Sequence, residues 1–539
     1  MRNKNDNSIS SSHTSLTTVN VVILIFIVSF IVFGITLFNQ FAWEDKILII
    51  DNPLGHSFNI FDLNNTFNRG GQFRPIAALY SAVFYLFYND IPFFYHFMQI
   101  VIHSANSVIL FLLFQHYFGK KISLFLSLLF LIHPINSEAV SYVGAFNNPL
   151  FFLFGSSAFL LSLKHELSDR HLLAISGLLL LSILSKETGI LFFFVIIIFQ
   201  ILSRRKTLIP LFSVSILNLM IYLFIRLGVG ISFTKSFLYP IAKLTFSQRL
   251  INIPKIIFYY IKIILFPANL STNQQWIVTN INFQEFYFPL IVDSVFFFIL
   301  ILLGFFLYKR HKKVFSLYLF FMIWFIVGLF LHLQLIPINM TVADHWLYFP
   351  IVGLLGILGI VLQILSQYKE KFKSIFVITM TAILVLLSVR TIIRNANWFD
   401  TISLFTHDSR IHDNYSIEDH LGIEYSHQKK YDEAVTHFEK SVALYPYEAN
   451  ITNLAVAYIN VGNIQKAEES FNRVRVIHHK EKYLESIYLE ISRFYINNRP
   501  PDKAREFIKI ALQHYPDNGA LWVYLAVSEY KLHNREGAL

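Results

Sequence analysis

An ionisable side chain beside a bilayer is costly unless it is paired, solvated or used. Several short stretches between apolar runs carry such groups. WEDKILIIDNP offers adjacent carboxylates at Glu44 and Asp45, and GGQFRPIAALY places Arg74 just before a proline-initiated segment. HPINSEAVSYVGAFNN offers His133 and Glu138, SKETG offers Lys186 and Glu187, and INMTVADHWLYFP offers Asp344, His345 and Tyr348. Converged, such a set can hold a phosphate on Arg74 and Lys186 while a carboxylate acts as general base. The plainer alternative is that each residue caps or wets a helix end. Lys186 argues against that, because its short loop falls on the side that the charge rule keeps poor in cations.

The elements that must position these residues are membrane helices. Hydrophobic residues make up 55% of the 539, and only 14% are charged, against roughly a quarter in soluble domains. The 57 Phe and 27 Tyr suit lipid-facing and interfacial surface. There is no cysteine, so thiolate metal sites and disulfides are excluded, and a metal would need His and carboxylate ligands. The net charge of +10 lies largely in short loops, which indicates topology rather than a nucleic-acid partner.

A span needs about 20 apolar residues. Candidates lie at 21–38, 93–117, 122–134, 149–164, 171–184, 189–203, 207–225, 287–307, 315–333, 349–366 and 374–390, about eleven in all. The first has no small-residue cleavage site after it and reads as an uncleaved signal anchor. With a cytoplasmic N-terminus, the loops at 119–121, 164–170, 204–206, 309–313 and 369–373 fall inside, and all are basic. Residues 251–266 carry Lys255 and Lys262 and begin near Pro254, so they are expected to lie at the outer interface or re-enter. Residues 75–88 are too short to cross comfortably.

After Trp398 the composition becomes that of soluble helices, and a repeat of tetratricopeptide type follows. Leu421, Gly422, Tyr425, Ala434, Phe438 and Pro446 match its spacing, then Leu454, Ala455, Tyr458, Ala467 and Phe471. A third unit has Tyr495, Ala504, Ala511 and Pro516, and a fourth begins with Trp522, Leu525, Ala526 and Ala538. Small residues sit where antiparallel helices cross closely, and large ones fill the adjoining groove. The fourth unit reaches Leu539 without a polar cap, so either the chain continues or that hairpin is incomplete. The domains expected are therefore a membrane domain (1–398), a linker (399–414) and the repeats (415–539). By parity the repeats are extracytoplasmic, either periplasmic or extracellular, or in the ER lumen of a eukaryote. Sequons at Asn64, Asn269, Asn339, Asn414 and Asn450 fall on that side too.

WEDKILIIDNP, FRPIAALY, HPINSEAV, LSKETG, ADHWLYFP, RNANWFD and the repeats, in this order, resemble the transmembrane and tetratricopeptide-repeat O-mannosyltransferases. More distantly they resemble the protein O-mannosyltransferases of the same GT-C fold. The resemblance implies an all-α fold: a polytopic GT-C-like helical bundle followed by a tetratricopeptide α-solenoid. It implies inverting transfer of a hexose, such as mannose, from a polyprenyl- or dolichyl-phosphate carrier to a Ser/Thr hydroxyl, with the repeats presenting the acceptor protein. Carried over by position, Asp45 is the base and Glu44 orients it. Arg74 and Lys186, then His133 and His345, stabilise the leaving phosphate, and Tyr348 positions a head group or lipid. Glu138, Glu187 and Asp344 are candidate substrate contacts. Where relatives usually carry an Arg and an acid, GAFNNPL supplies Phe146 and Asn148, and His345 and Trp346 follow Asp344 in place of the family's Arg.

A second reading is a non-catalytic membrane scaffold that binds partners through the repeats. A transporter is disfavoured by the lack of charge deep in the spans. Glu44, Asp45, His133 and Glu138 are hard ligands, but no spacing selects an ion, so no metal site is assigned and use of a divalent cation stays open.

Overall fold

The computed structural model describes residues 17–51, 68–69, 72–229, 239–366, 373–477 and 484–538. The sequon at Asn64 and most of the basic loop at 369–373 lie outside these residues. The chain divides into two compact units: Met1–Thr272 with Trp276–Asp400, and Asn273–Gln275 with Thr401–Leu539.

Among the described residues, the regular elements of the first unit are helices and one hairpin of two-residue strands, β1 (Asn68–Arg69) against β2 (Gln72–Phe73). Its helices are α1 (Thr18–Phe33), α2 (Pro75–Tyr88), α3 (Pro92–Gln115), α4 (Lys120–Ile132), α5 (Ser137–Ser141), α6 (Asn147–Ser162), α7 (Asp169–Ser185) and α8 (Ile190–Leu202). They continue with α9 (Leu208–Gly228), α10 (Pro240–Lys243), α11 (Phe246–Leu265), α12 (Phe288–Arg310), α13 (Lys312–Phe330), α14 (Ile351–Leu365) and α15 (Lys373–Asn397). Among the described residues, 7 helices are long and apolar enough to cross a membrane, or 8 if α4 and the segment Pro134–Ser141, bent by 47°, count as one span. The protein is thus an all-α, multi-pass membrane protein. The remaining expected spans form shorter helices, α7, α8 and α14; the last, of 15 residues, reaches about 22 Å. Residues 251–265 fall within α11, which is not among the crossing helices. One expectation is corrected: the spans do contain an ionisable side chain, since Asp293 is buried in α12 and neither carboxyl oxygen has a hydrogen-bond partner.

Lipid supplies little hydrophobic drive between helices, so close packing and polar bonds must hold them. Asn395 of α15 supplies the polar bonds at one end of the bundle. Its amide nitrogen donates to the Val32 carbonyl of α1 at 3.0 Å, and its side-chain oxygen accepts from Ser141 of α5 at 3.0 Å. At the other end Arg205 donates to the Lys164 carbonyl at 3.0 Å, joining two of the basic loops.

The second unit begins with α16 (Thr401–Ser409), so the expected linker is itself helical. Antiparallel pairs follow: α17 (Tyr415–His427) with α18 (Tyr431–Leu444), α19 (Glu448–Asn460) with α20 (Ile464–Ile477), and α21 (Leu484–Asn498) with α22 (Pro501–His514). The last is α23 (Gly519–Lys531) with the short α24 (Arg535–Ala538). The repeat residues do what their sizes dictate. Ala434, Phe438, Leu454, Ala455, Ala467, Phe471, Ala504 and Ala511 form one buried core. A Cβ on Gly422 would lie 2.6 Å from the Phe438 ring, so α17 and α18 approach this closely only with glycine there. Two sequons are spent on structure: Asn414 caps α17, and buried Asn450 donates to Ser441 and to the Tyr445 carbonyl.

Candidate functional site

Asp45 follows Trp43, whose φ of 59° is unusual for a bulky residue and costs roughly 1–3 kcal/mol. Stacking offsets that strain. The Trp43 ring lies 4.8 Å from Tyr142, which stacks in turn on buried Trp398 at 5.8 Å. Arg394 of α15 closes the stack, 5.8 Å from the Trp398 ring. The turn holds Asp45 fully buried, where its carboxylate accepts from the backbone N–H groups of Gly144 (2.6 Å), Ala42 (3.3 Å) and, at a long 3.4 Å, Val143. Gln99 of α3 satisfies the same loop from its carbonyl side, donating to Tyr142 and Val143 at 3.3 Å each. Burial pushes the Asp45 carboxyl up to about 8, against those N–H groups, which favour its charged form.

The two adjacent acids meet different surroundings. Asp45 clamps the 142–144 loop from a fully buried position. Glu44 is exposed and accepts from the Tyr142 hydroxyl at 3.2 Å.

Arg74 precedes Pro75, which favours a non-helical backbone at Arg74 and opens α2 at its first position. Its guanidinium meets Glu187 at 3.1 Å, and Arg226, at the end of α9, approaches the other Glu187 oxygen at 3.9 Å. Lys186 sits in extended backbone between α7 and the turn that starts α8, buried, with its ammonium on the Asn148 side-chain oxygen. Burial, helped by the nearby Arg74 charge, lowers the Lys186 amine to about 7. Asn148, a departure from the family pattern, thus serves as the partner of Lys186. Segment 142–148 consequently touches Glu44 and Asp45 at one end and Lys186 at the other.

Lys186 also lines a small crevice with Asn148, Thr188, His332, His345 and Trp346. Glu138, buried on α5, holds His345 twice: one oxygen lies 3.0 Å from Nδ1 and the other accepts from the backbone N–H at 3.0 Å. His332 stacks flat on Trp346, with ring centres 5.0 Å apart.

Three candidates lie elsewhere. His133 accepts from the Ile135 N–H on Nδ1 and donates from Nε2 to the Ile264 carbonyl, so it is neutral, with both nitrogens committed, and cannot offer charge to a phosphate. Tyr348 is buried among helices, its hydroxyl between His103 (2.7 Å) and Asn106 (2.9 Å), too enclosed to position a head group. Asp344 is buried and accepts from Tyr259 at 2.9 Å. Sequence reasoning missed Arg226, His332 and Arg394. A cation ending a span on the cation-poor side, as Arg226 does, was the available signal; His332 carried none. Among the described residues, no group of three or more His, Asp or Glu could hold a metal ion.

Comparison with known proteins bears on what this arrangement does. Residues 420–448 match the tetratricopeptide repeat model. The chain is 23% identical over 403 residues to protein O-mannosyl-transferase F38B6.6 of Caenorhabditis elegans, covering 68% of this chain and 54% of that protein. It is 24% identical over 488 residues to human protein O-mannosyl-transferase TMTC3, covering 81% and 53%. Protein O-mannosyl-transferase Tmtc2 of Drosophila melanogaster matches at 28% over 114 residues, 21% of this chain and 12% of that protein. The chain is similar to the protein O-mannosyl-transferases. The chain spans about half the length of the longer-matching relatives.

Proposed function

We propose that the membrane unit transfers a sugar from a polyprenyl- or dolichyl-phosphate carrier to a hydroxyl of an acceptor protein, mannose to Ser or Thr being the leading case. One observation carries the reading beyond the relatives' names: the single segment 142–148 joins an exposed carboxylate, Glu44, to a buried ammonium, Lys186. In a single displacement the acceptor oxygen attacks the anomeric carbon, the bond from that carbon to the phosphate oxygen breaks, and the configuration inverts. Glu44 takes the hydroxyl proton. The leaving phosphate gains negative charge, which Lys186 and the neighbouring cations stabilise. Asp45 acts as a positioning residue through the 142–144 loop. The repeats bind the acceptor, and transfer takes place on the extracytoplasmic face.

Mass spectrometry of acceptor proteins from cells carrying the gene, the Glu44→Gln variant or neither tests this. Loss of a general base is expected to lower transfer by at least about 100-fold. Wild-type glycosylation by Glu44→Gln would rule the assignment out. The scaffold reading has its own support, since Arg74, Lys186 and His345 each already have an internal partner. It expects no glycan difference between cells with and without the gene, but retained capture of a partner by the repeats.

A further inference from the structure

Four cations gather where α6 ends and α9 begins, in two segments long and apolar enough to cross a membrane. Lys164 follows α6, and Arg204, Arg205 and Lys206 lie between α8 and α9. The charge rule accounts for cations in these loops; it does not account for how they are held. Arg205 Nη1 donates to the carbonyls of Leu163 and Lys164, and the guanidinium lies 5.3 Å from the Phe199 ring. Those contacts fix the fork and leave Nε and Nη2 for another acceptor. Buried Gln200 of α8 ties the same loops together, donating to the Ser162 carbonyl at 3.2 Å and accepting from Thr207 at 2.8 Å. Arg204 has a φ of 50°, a left-handed backbone uncommon outside glycine, and its side chain is exposed. Glu166 and Asp169 are near in sequence, yet among the described residues none of the four cations forms an ion pair with either; the Lys164 ammonium meets the His171 ring at 2.9 Å. Ile201 on α8 and Ile209 on α9, beside the cations, are exposed.

We propose that this face binds the headgroup of an anionic phospholipid. Arg205 is the fixed anchor for its phosphate, Lys164, Arg204 and Lys206 surround the charge, and Ile201 and Ile209 lie against the acyl chains. A guanidinium fork matches phosphate oxygens in pairs, which a lone ammonium does not. The apolar flanks favour a lipid over a soluble anion, because they place hydrocarbon directly beside the cations. Helix α7 leaves this face at Asp169 and reaches Lys186 only after 17 residues, about 25 Å away. The face is therefore separate from the crevice, and the inference does not rest on the transferase reading.

The test titrates the full chain, delipidated in detergent, with dioleoyl phosphatidylglycerol or dioleoyl phosphatidylcholine and reads binding by native mass spectrometry. Phosphatidylglycerol is expected to bind more tightly than phosphatidylcholine. Arg204→Gln and Lys206→Gln, both at exposed positions, should each weaken it about fivefold. Arg205→Lys keeps the charge and should still weaken it, because the fork is lost; unchanged binding there would remove Arg205 as the anchor. Wild-type affinity in the variant carrying both Arg204→Gln and Lys206→Gln, at wild-type melting temperature, overturns the site. An equal loss in Lys309→Gln with Lys312→Gln, in another basic loop, overturns it as well, since the attraction would then be diffuse. If glycerol 3-phosphate competes as strongly as the lipid, the face takes a soluble anion and the lipid assignment fails.

Discussion

In the membrane unit, Asp45, Gln99 and His133 spend their polar atoms on backbone groups, whereas in the repeats Glu418 and Asp419 spend theirs on side chains. Glu418 meets His437 at 2.6 Å and Lys440 at 2.8 Å; Asp419 accepts from Tyr447 at 2.8 Å and Asn453 at 3.1 Å. The difference follows from what each unit must stabilise. Regular helices satisfy their own backbones, so the acids of the repeats are left to pair across helices. The loops that end the membrane helices have no such ladder, and where they are buried a side chain must complete their hydrogen bonds. Asp45, Gln99 and His133 therefore set loop shape in the one unit, while Glu418 and Asp419 tie helices together in the other.

Removing a residue of each kind sharpens this contrast. Asp45→Ala would leave the N–H groups of Gly144, Ala42 and Val143 without their acceptor and is expected to cost about 3–5 kcal/mol. Asp45→Asn keeps one acceptor oxygen and should cost less. Thermal unfolding in nanodiscs ranks the two, and equal melting temperatures for Asp45→Ala and wild type would refute the clamp. In the repeats the framework is apolar, so the damaging change is Phe438→Ala, expected to cost about 3 kcal/mol through lost packing against Gly422. Hydrogen exchange should then rise across α17 and α18 and not at the membrane loops.

Acidity separates the units again. Unfolded, the Lys186 amine holds its proton to near 10.5; folded, it does so only to about 7. Between those values the unfolded chain binds the extra proton, so this group's contribution makes stability rise with pH across the window; its penalty is full below it. Lys186→Met should flatten that rise. Glu418 shifts stability in the same direction, in a more acidic window. His437 and Lys440 overcome the effect of burial and hold its carboxyl below the usual range, so its stabilisation is present above that range and fades as pH falls. Melting curves of the two units recorded against pH should therefore shift in separate windows.

Most of the framework was legible because each element follows from a period or a size. Apolar runs gave the helices, and Gly422 with Phe438 gave the repeat crossing. Helix lengths were less legible: α14 joins the bundle although its apolar run is short, because glycines such as Gly356 let Phe321 pack against its backbone. The residues of the site were legible as a group and not by role. Nothing in Glu44-Asp45 reveals which carboxylate turns inward; the left-handed backbone at Trp43 decides it. His133 and His345 look alike in sequence, and only the backbone carbonyl facing one and the carboxylate facing the other distinguish them. His332 follows an apolar run that gives no sign of the ring it will meet.

The smallest effect belongs to Lys440. Its ammonium lies 2.6 Å from Asp413 as well as 2.8 Å from Glu418, yet its side chain is 52% exposed. Water screens both contacts, and a long side chain loses entropy in making them, so Lys440→Ala is expected to cost only about 0.5 kcal/mol. His437→Ala should cost more, because it also removes the ring stacked 5.2 Å from Tyr425 and takes a more enclosed partner from Glu418. The double variant is the informative one. Glu418 is nearly fully buried, so with both partners gone its charge has no counterion, and the two losses should exceed their sum. Strict additivity, measured by denaturant unfolding of the repeats in the full chain, would mean that Glu418 reaches water and that its pairing is incidental.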